Sequence, residues 1–167
     1  QVTTSYTFAS GSGSVTGITV PATVQGGTYN GVMTYTNANG CSNTKTITLT
    51  INGQPTLTTA ATPAVVTAVC YTGSAQTTVM PYTGSTNSPI SYSIDWDATA
   101  NAANLADQGT TSYTFASGSG SVTGITVPAT VQAGTYNGVM TYTNANGCSN
   151  TKTITLTING QPTLTTA

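Results

Sequence analysis

The chain has 167 residues, of which 3% are charged. The cations are Lys45 and Lys152, the anions are Asp95, Asp97 and Asp107, and there is no His and no Glu. A net charge of −1 gives no long-range attraction for nucleic acid or an anionic membrane. Without His, neither a Ser-His-Asp nor a Cys-His arrangement can be assembled.

In chain order, the first strand pattern with a strict period of two is Thr44 to Ile51. Shorter strands are predicted at Pro55 to Thr59, Val65 to Val69 and Gln76 to Tyr82. Pro89 to Asp97 alternates Ile90, Tyr92, Ile94 and Trp96 against Ser91, Ser93, Asp95 and Asp97. The apolar set is expected to face a core with Trp96 as its anchor, as a central-strand aromatic does in many sandwiches. Ala98 to Ala106 is rich in Ala and follows Asp97, a good cap, so a short helix of one or two turns is predicted there. Two further strands are predicted at Ser112 to Phe115 and Val122 to Val127. Gly134 to Thr143 and Thr151 to Ile158 form a hairpin around Asn144-Ala-Asn-Gly147. In its second strand Ile154, Leu156 and Ile158 point one way and Thr153, Thr155 and Thr157 the other. Many short strands separated by Gly, Pro and Asn indicate an all-β sandwich. The chain contains 40 Thr, so hydroxyls solvate the surface in place of charge.

Thr3 to Ala60 recurs as Thr110 to Ala167, with one difference in 58 positions, Gly26 against Ala133. Repetition at a domain-sized period of 107 residues marks an array. The chain is therefore expected to be a stretch of a longer tandem protein. On this phasing, residues 1–53 are the C-terminal half of a preceding repeat, 54–160 one complete repeat, and 161–167 the start of the next. The Pro-bearing segments Thr50 to Leu57 and Thr157 to Leu164 read as stiff, short junctions.

Cys41 and Cys148 occupy equivalent positions, so each period holds two cysteines and an oxidising, extracellular setting is expected. The first expectation is a Cys70–Cys148 disulfide, with Cys41 pairing outside this sequence. A bridge between neighbouring units, such as Cys41–Cys70, is the rival, and free thiols are the third possibility. Asp95-Trp-Asp-Ala-Thr-Ala-Asn101 places oxygen side chains at alternate positions, like the opening of a calcium loop. It departs from that loop at Ala100, where Gly is needed, and at Ala106, where Glu is needed. Asp95 and Asp97 are thus the metal candidates, and strand-end and capping roles are the rival reading. The Thr-x-Thr ladder from Thr151 to Thr157 could offer a hydroxyl array for ice or surface binding, or could simply reflect the β propensity of Thr. Tyr136, after Ala133-Gly134, matches the tyrosine corner of immunoglobulin-like domains.

Taken in order, Cys70-Tyr-Thr-Gly, Pro81-Tyr82, Ser88-Pro89, Tyr92-Ser-Ile-Asp-Trp-Asp97, Ala133-Gly-Thr-Tyr136 and Asn146-Gly-Cys148 resemble the PKD-like, immunoglobulin-like repeats of very large surface adhesins in the Bacteroidota. The resemblance implies secretion to the cell surface, by the type IX route, and tandem display as a filament or stalk, including the mobile adhesins of gliding cells. It implies a structural spacer without catalysis or cofactor. The expected partners are identical neighbouring repeats, other copies of the filament and surface glycans, with no nucleic acid and no membrane insertion. The alternative is a tandem of weak glycan-binding modules acting by avidity, for which Tyr71, Tyr82 and Tyr113 are the candidate exposed aromatics.

Overall fold

The structure is a computed structural model and describes residues 6–8 and 11–164. The contacts divide the chain into two compact units, Gln1–Ile51 and Asn52–Ala167. The division falls two residues before the boundary expected from the sequence. Of the expected start of a further repeat at 161–167, residues 165–167 lie outside the described residues.

Among its described residues the first unit contains one hairpin, β1 (Gly27–Thr36) and β2 (Ser42–Ile51), in antiparallel register with Tyr29 opposite Leu49. The second unit contains β3 (Thr56–Thr58), β4 (Ala64–Cys70), β5 (Gln76–Tyr82), β6 (Gly84–Thr86) and β7 (Pro89–Trp96). After these come α1 (Ala98–Ala102), β8 (Gln108–Ser112), β9 (Gly120–Val127), β10 (Gly134–Asn144) and β11 (Ser149–Asn159). The expectation of an all-β chain with one short helix is met. Strands β4, β11, β10, β7 and β8 form one sheet in that order, with β4 parallel to β11 and the other pairs antiparallel. Strands β5 and β9 pair separately, as do β3 and β6.

The apolar residues of β11 do what their spacing predicts. Ile154, Leu156 and Ile158 are buried while the intervening Thr side chains stay at least partly exposed. They pack with Val66, Met80, Tyr92, Ile94 and Trp96 in a single core. The repeated sequence provides an internal control. The register of β1 with β2 is that of β10 with β11, residue for residue. Strand sequence and turn therefore set the hairpin locally. Burial is not local: Tyr29 is 40% exposed and its twin Tyr136 is 5% exposed. In the second unit β7 and β4 flank the hairpin, and no such strands flank β1 and β2 among the described residues of the first.

Two expectations about the strands need correction. Ile90 does not join the inward set of β7 but is 45% exposed. Thr143 pairs with Ser91 and Asn144 with Pro89, so Ile90 is the extra residue of a β-bulge and is turned outward. The predicted strand at Ser112 to Phe115 lies earlier, at Gln108–Ser112. Gln108 anchors it: its Nε2 donates to Tyr92 Oη and to the Gly124 carbonyl, and its Oε1 accepts from the Thr126 amide. Phe115, beyond the strand, is buried against Tyr82 and Tyr113. The short helix expected near 98–106 is present as one turn, Ala98–Ala102. Asp97 Oδ1 accepts from the Ala100 amide at 2.8 Å, capping its start. Asn104, at φ +67°, ends it in a Schellman motif: the Leu105 amide donates to Ala100 O and the Asn104 amide to Asn101 O.

Tyr92, Tyr113 and Tyr142 all have phenols pushed above their ordinary 10.0, in each case chiefly by burial. The bonds from Gln108 and Thr111 to Tyr92 oppose the shift, whereas Tyr82 adds to it at Tyr113. The unfolded chain ionises these groups near 10.0 and the folded chain only above it. Their contribution to stability is therefore complete below pH 10 and is lost as pH rises from there through the raised folded values. Alkaline titration is expected to show phenolate absorbance from these residues appearing together with loss of the β circular-dichroism signal. Full ionisation of all Tyr with the fold retained would contradict this.

Candidate functional site

Asp95 and Asp97 are both exposed at the end of β7, but their roles differ. Asp97 caps α1, and Asn101, the last oxygen of the calcium-like spacing, turns its Nδ2 to the Trp96 carbonyl at 3.2 Å. Asp107 Oδ1 accepts from the Trp96 amide at 2.8 Å. The capping reading accounts for Asp97 and Asn101. Among the described residues no group of three or more His, Cys, Asp or Glu side chains converges.

A cavity of about 440 Å³ opens beside this segment, lined by Pro63, Asp95, Trp96, Asp97, Val139 and Ile154 among others. Trp96 is 2% exposed and its indole Nε1 is buried without a hydrogen-bond partner. The polar lining of the cavity is the carboxylates of Asp95 and Asp97 with the side chains of Asn137 and Thr153.

The residues suggested for glycan stacking do not form a platform. Tyr82 is 3% exposed and belongs to the core, which corrects its expected exposure. Tyr71 and Tyr113 are partly buried against the same core. The Thr ladder is also interrupted. Thr155 faces Val65, which is 57% exposed, and Thr153 faces Val139, which is 38% exposed. Thr155 Oγ1 donates to Asn137 Oδ1 at 3.0 Å, and Thr135 and Thr157 share a 3.3 Å hydroxyl bond. These hydroxyls bond sideways within the sheet.

Tyr136 takes the position expected of a tyrosine corner. Its hydroxyl donates to the Gln132 carbonyl at 2.9 Å, and the twin Tyr29 donates to Gln25 at 2.8 Å.

The two ends of the second unit are the most developed polar features. At the end formed by the β10–β11 turn, the incoming segment Asn52 to Pro55 is held at every residue. Asn144 Nδ2 donates to Gly53 O at 3.1 Å, Asn87 Nδ2 to Gln54 O at 2.7 Å, and Asn150 Nδ2 to Pro55 O at 3.1 Å. Cys148 Sγ lies 3.6 Å from Asn52 O. From this turn β11 runs 11 residues to Asn159, about 35 Å at 3.3 Å per residue. Asn159 pairs with Cys70, and the Tyr71 amide donates to its carbonyl at 2.8 Å. Spacing along the chain did not reveal this set, but its signal was present. Asn144 and Asn150 stand beside the turn, Asn87 lies between β6 and β7, and the gripped Asn-Gly-Gln-Pro recurs as Asn159 to Pro162.

This placement overturns the Cys70–Cys148 disulfide. The two cysteines lie at opposite ends of β11, roughly 30 Å apart, whereas a disulfide needs Cα atoms within about 7 Å. Both are free, as is Cys41. No protein-family model matches the chain, and no curated protein matches it.

Proposed function

We propose that the second unit is an immunoglobulin-like, PKD-like sandwich and that it serves as a non-catalytic spacer in a long extracellular adhesin filament. The observation that carries this reading is the polarity of the unit. The chain enters at the turn beside Asn144 and Cys148 and leaves at Asn159, at the far end of β11. A unit whose entry and exit stand at opposite ends, and whose exit sequence repeats its entry sequence, adds length with each copy. The three Asn side chains gripping Asn52 to Pro55 make the entry a bonded seat, which favours a stiff fibre over beads on a flexible tether.

The sandwich assignment is supported by three features. Strands β7, β10 and β11 are adjacent in the order of the C, F and G strands of immunoglobulin-like domains, a buried Trp stands on the first of them, and a tyrosine corner stands at the start of the second. Among the described residues no helix is long and apolar enough to cross a membrane. Secretion, cell-surface display and a role in gliding adhesion follow from the resemblance and are part of the proposal.

Small-angle scattering tests it. Chains lengthened by one, two and three further 107-residue periods are expected to gain maximum dimension by a constant increment of about 35–45 Å per copy. A dimension that grows as the cube root of mass, as in a compact particle, would rule the spacer out.

A further inference from the structure

Cys70 and Cys148 are exposed and half-buried thiols at opposite ends of one unit. Each stands beside the same residue of the period. Cys148 Sγ is 3.6 Å from the carbonyl oxygen of Asn52. Cys70 is the register partner of Asn159, and the amide that follows it, Tyr71 N, donates to the Asn159 carbonyl at 2.8 Å. Asn52 and Asn159 are one position of the repeat, each opening the sequence Asn-Gly-Gln-Pro-Thr-Leu. A carbonyl oxygen has two lone pairs, so one oxygen can accept from the Tyr71-type amide and the Cys148-type thiol together.

Where one copy follows another and both contacts form on the same carbonyl, the Asn159 oxygen of the first has that copy's Cys70 segment and the next copy's Cys148 counterpart as its two neighbours. Together the two contacts and standard backbone geometry would put the second sulfur no more than about 9 Å from the Cα of Cys70. Within a unit the corresponding cysteines are roughly 30 Å apart. We propose that Cys70 forms a disulfide with the Cys148-type cysteine of the copy that follows, so that every junction of the array carries a covalent staple. This rests on the tandem-spacer reading above. It replaces both the Cys70–Cys148 bridge within a unit and the Cys41–Cys70 pairing.

Two thiols are joined, with loss of two protons and two electrons. The acceptor is a low-molecular-weight or protein disulfide, which is reduced to two thiols by exchange. The extracellular setting supplies the oxidising poise. The staple also has a mechanical consequence. With it in place, the shortest covalent path through an unfolded unit runs from Cys148 back to Cys70, 78 residues. Without it the path is the full period of 107. Extension of a pulled array per unfolded unit is therefore about three-quarters of the reduced value.

The test uses the full chain continued in frame by a second copy of residues 61–167, which creates one complete junction. The protein is equilibrated in a glutathione redox buffer, and its peptides are mapped without reduction. The expected result is a single cross-link, between Cys70 and the appended counterpart of Cys148, with the remaining three thiols free to react. The variant Cys70→Ser is expected to leave all four of its thiols reactive. Finding Cys70 reduced in the unsubstituted chain, or bridged to Cys41 or to Cys148 of its own unit, overturns the proposal. Scattering on the same sample separates the two levels. An extended particle with Cys70 free sinks the staple and leaves the spacer standing, whereas a compact particle removes both.

Discussion

Replacing Trp96 with Ala is expected to cost about 3–5 kcal/mol, the range for emptying a buried aromatic site. The melting temperature of the second unit should fall by roughly 15–25 °C. The size of the effect follows from where the ring sits. Trp96 is 2% exposed at the end of β7, opposite Gly138, with its backbone amide bonded to Asp107 and its carbonyl to Asn101. Typical domains have only about 5–15 kcal/mol in total, so this one side chain accounts for a large share. Trp96→Phe is expected to be much milder. It keeps most of the apolar contact and also removes the buried indole N–H that has no partner, a group whose burial is unfavourable by about 1–3 kcal/mol. Calorimetry on the three proteins checks the order wild type, Phe, Ala. A Phe variant as unstable as Ala would show that the indole edge, not the volume, holds the site.

The repeat supplies a control for the same contact. A Cβ added at Gly138 would stand 2.7 Å from Trp96 Cε3 and 2.9 Å from the Asp95 carbonyl oxygen. At the identical position in the first unit, Gly31, the nearest atom would be Ile47 Cγ1 at 3.6 Å, an ordinary contact. Gly138→Ala should therefore destabilise by about 1–3 kcal/mol through overpacking, and Gly31→Ala should leave stability within about 0.5 kcal/mol. The same letter in the same strand register thus carries a constraint in one unit and none in the other, because β7 lies across only one of the hairpins.

That contrast also explains which features the sequence made legible. Strands with strict alternation and β-branched residues, such as β11, could be placed from one line of text, because a period of two admits a single buried face. The Tyr136 bond is local for a similar reason: it runs only four residues, to the Gln132 carbonyl. What depends on pairing between distant strands was not legible. Ile90 satisfies the alternation perfectly and is exposed, because a bulge opposite Thr143 and Asn144 shifts the phase. β6 has three residues and no alternation to detect. The placement of the cysteines has the same physical cause. Two per period suggests a pair within the period, and only the parallel register of β4 on β11 shows that they stand at opposite ends.

Asn144 makes the link between fold and junction, and its substitution should show both. It is 5% exposed and forms three side-chain bonds. Its Oδ1 accepts from the amides of Asn146 and Cys148 at 3.1 and 3.0 Å, closing the β10–β11 turn. Its Nδ2 donates to Gly53 O, seating the incoming chain. Asn144→Ala removes all three and leaves two amides and a carbonyl without their partner, so a loss of about 2–4 kcal/mol is expected. The twin turn provides the comparison. Asn37 Oδ1 accepts from Asn39 and Cys41 in the same way, but at an exposed site where water can replace it, so Asn37→Ala should have a clearly smaller effect on its hairpin. Asn144→Asp separates the two roles. The carboxylate still accepts both turn bonds but has no hydrogen to give Gly53, and it places an anion against that carbonyl. The second unit of this variant should keep its strand content while Asn52 to Pro55 becomes the first site of proteolytic cleavage, at a rate at least tenfold above wild type. Equal cleavage rates in wild type and Asn144→Asp would show that Asn87 and Asn150 hold the junction unaided. A tenfold rise with strand content intact would identify one amide group as what holds the incoming segment on the second unit.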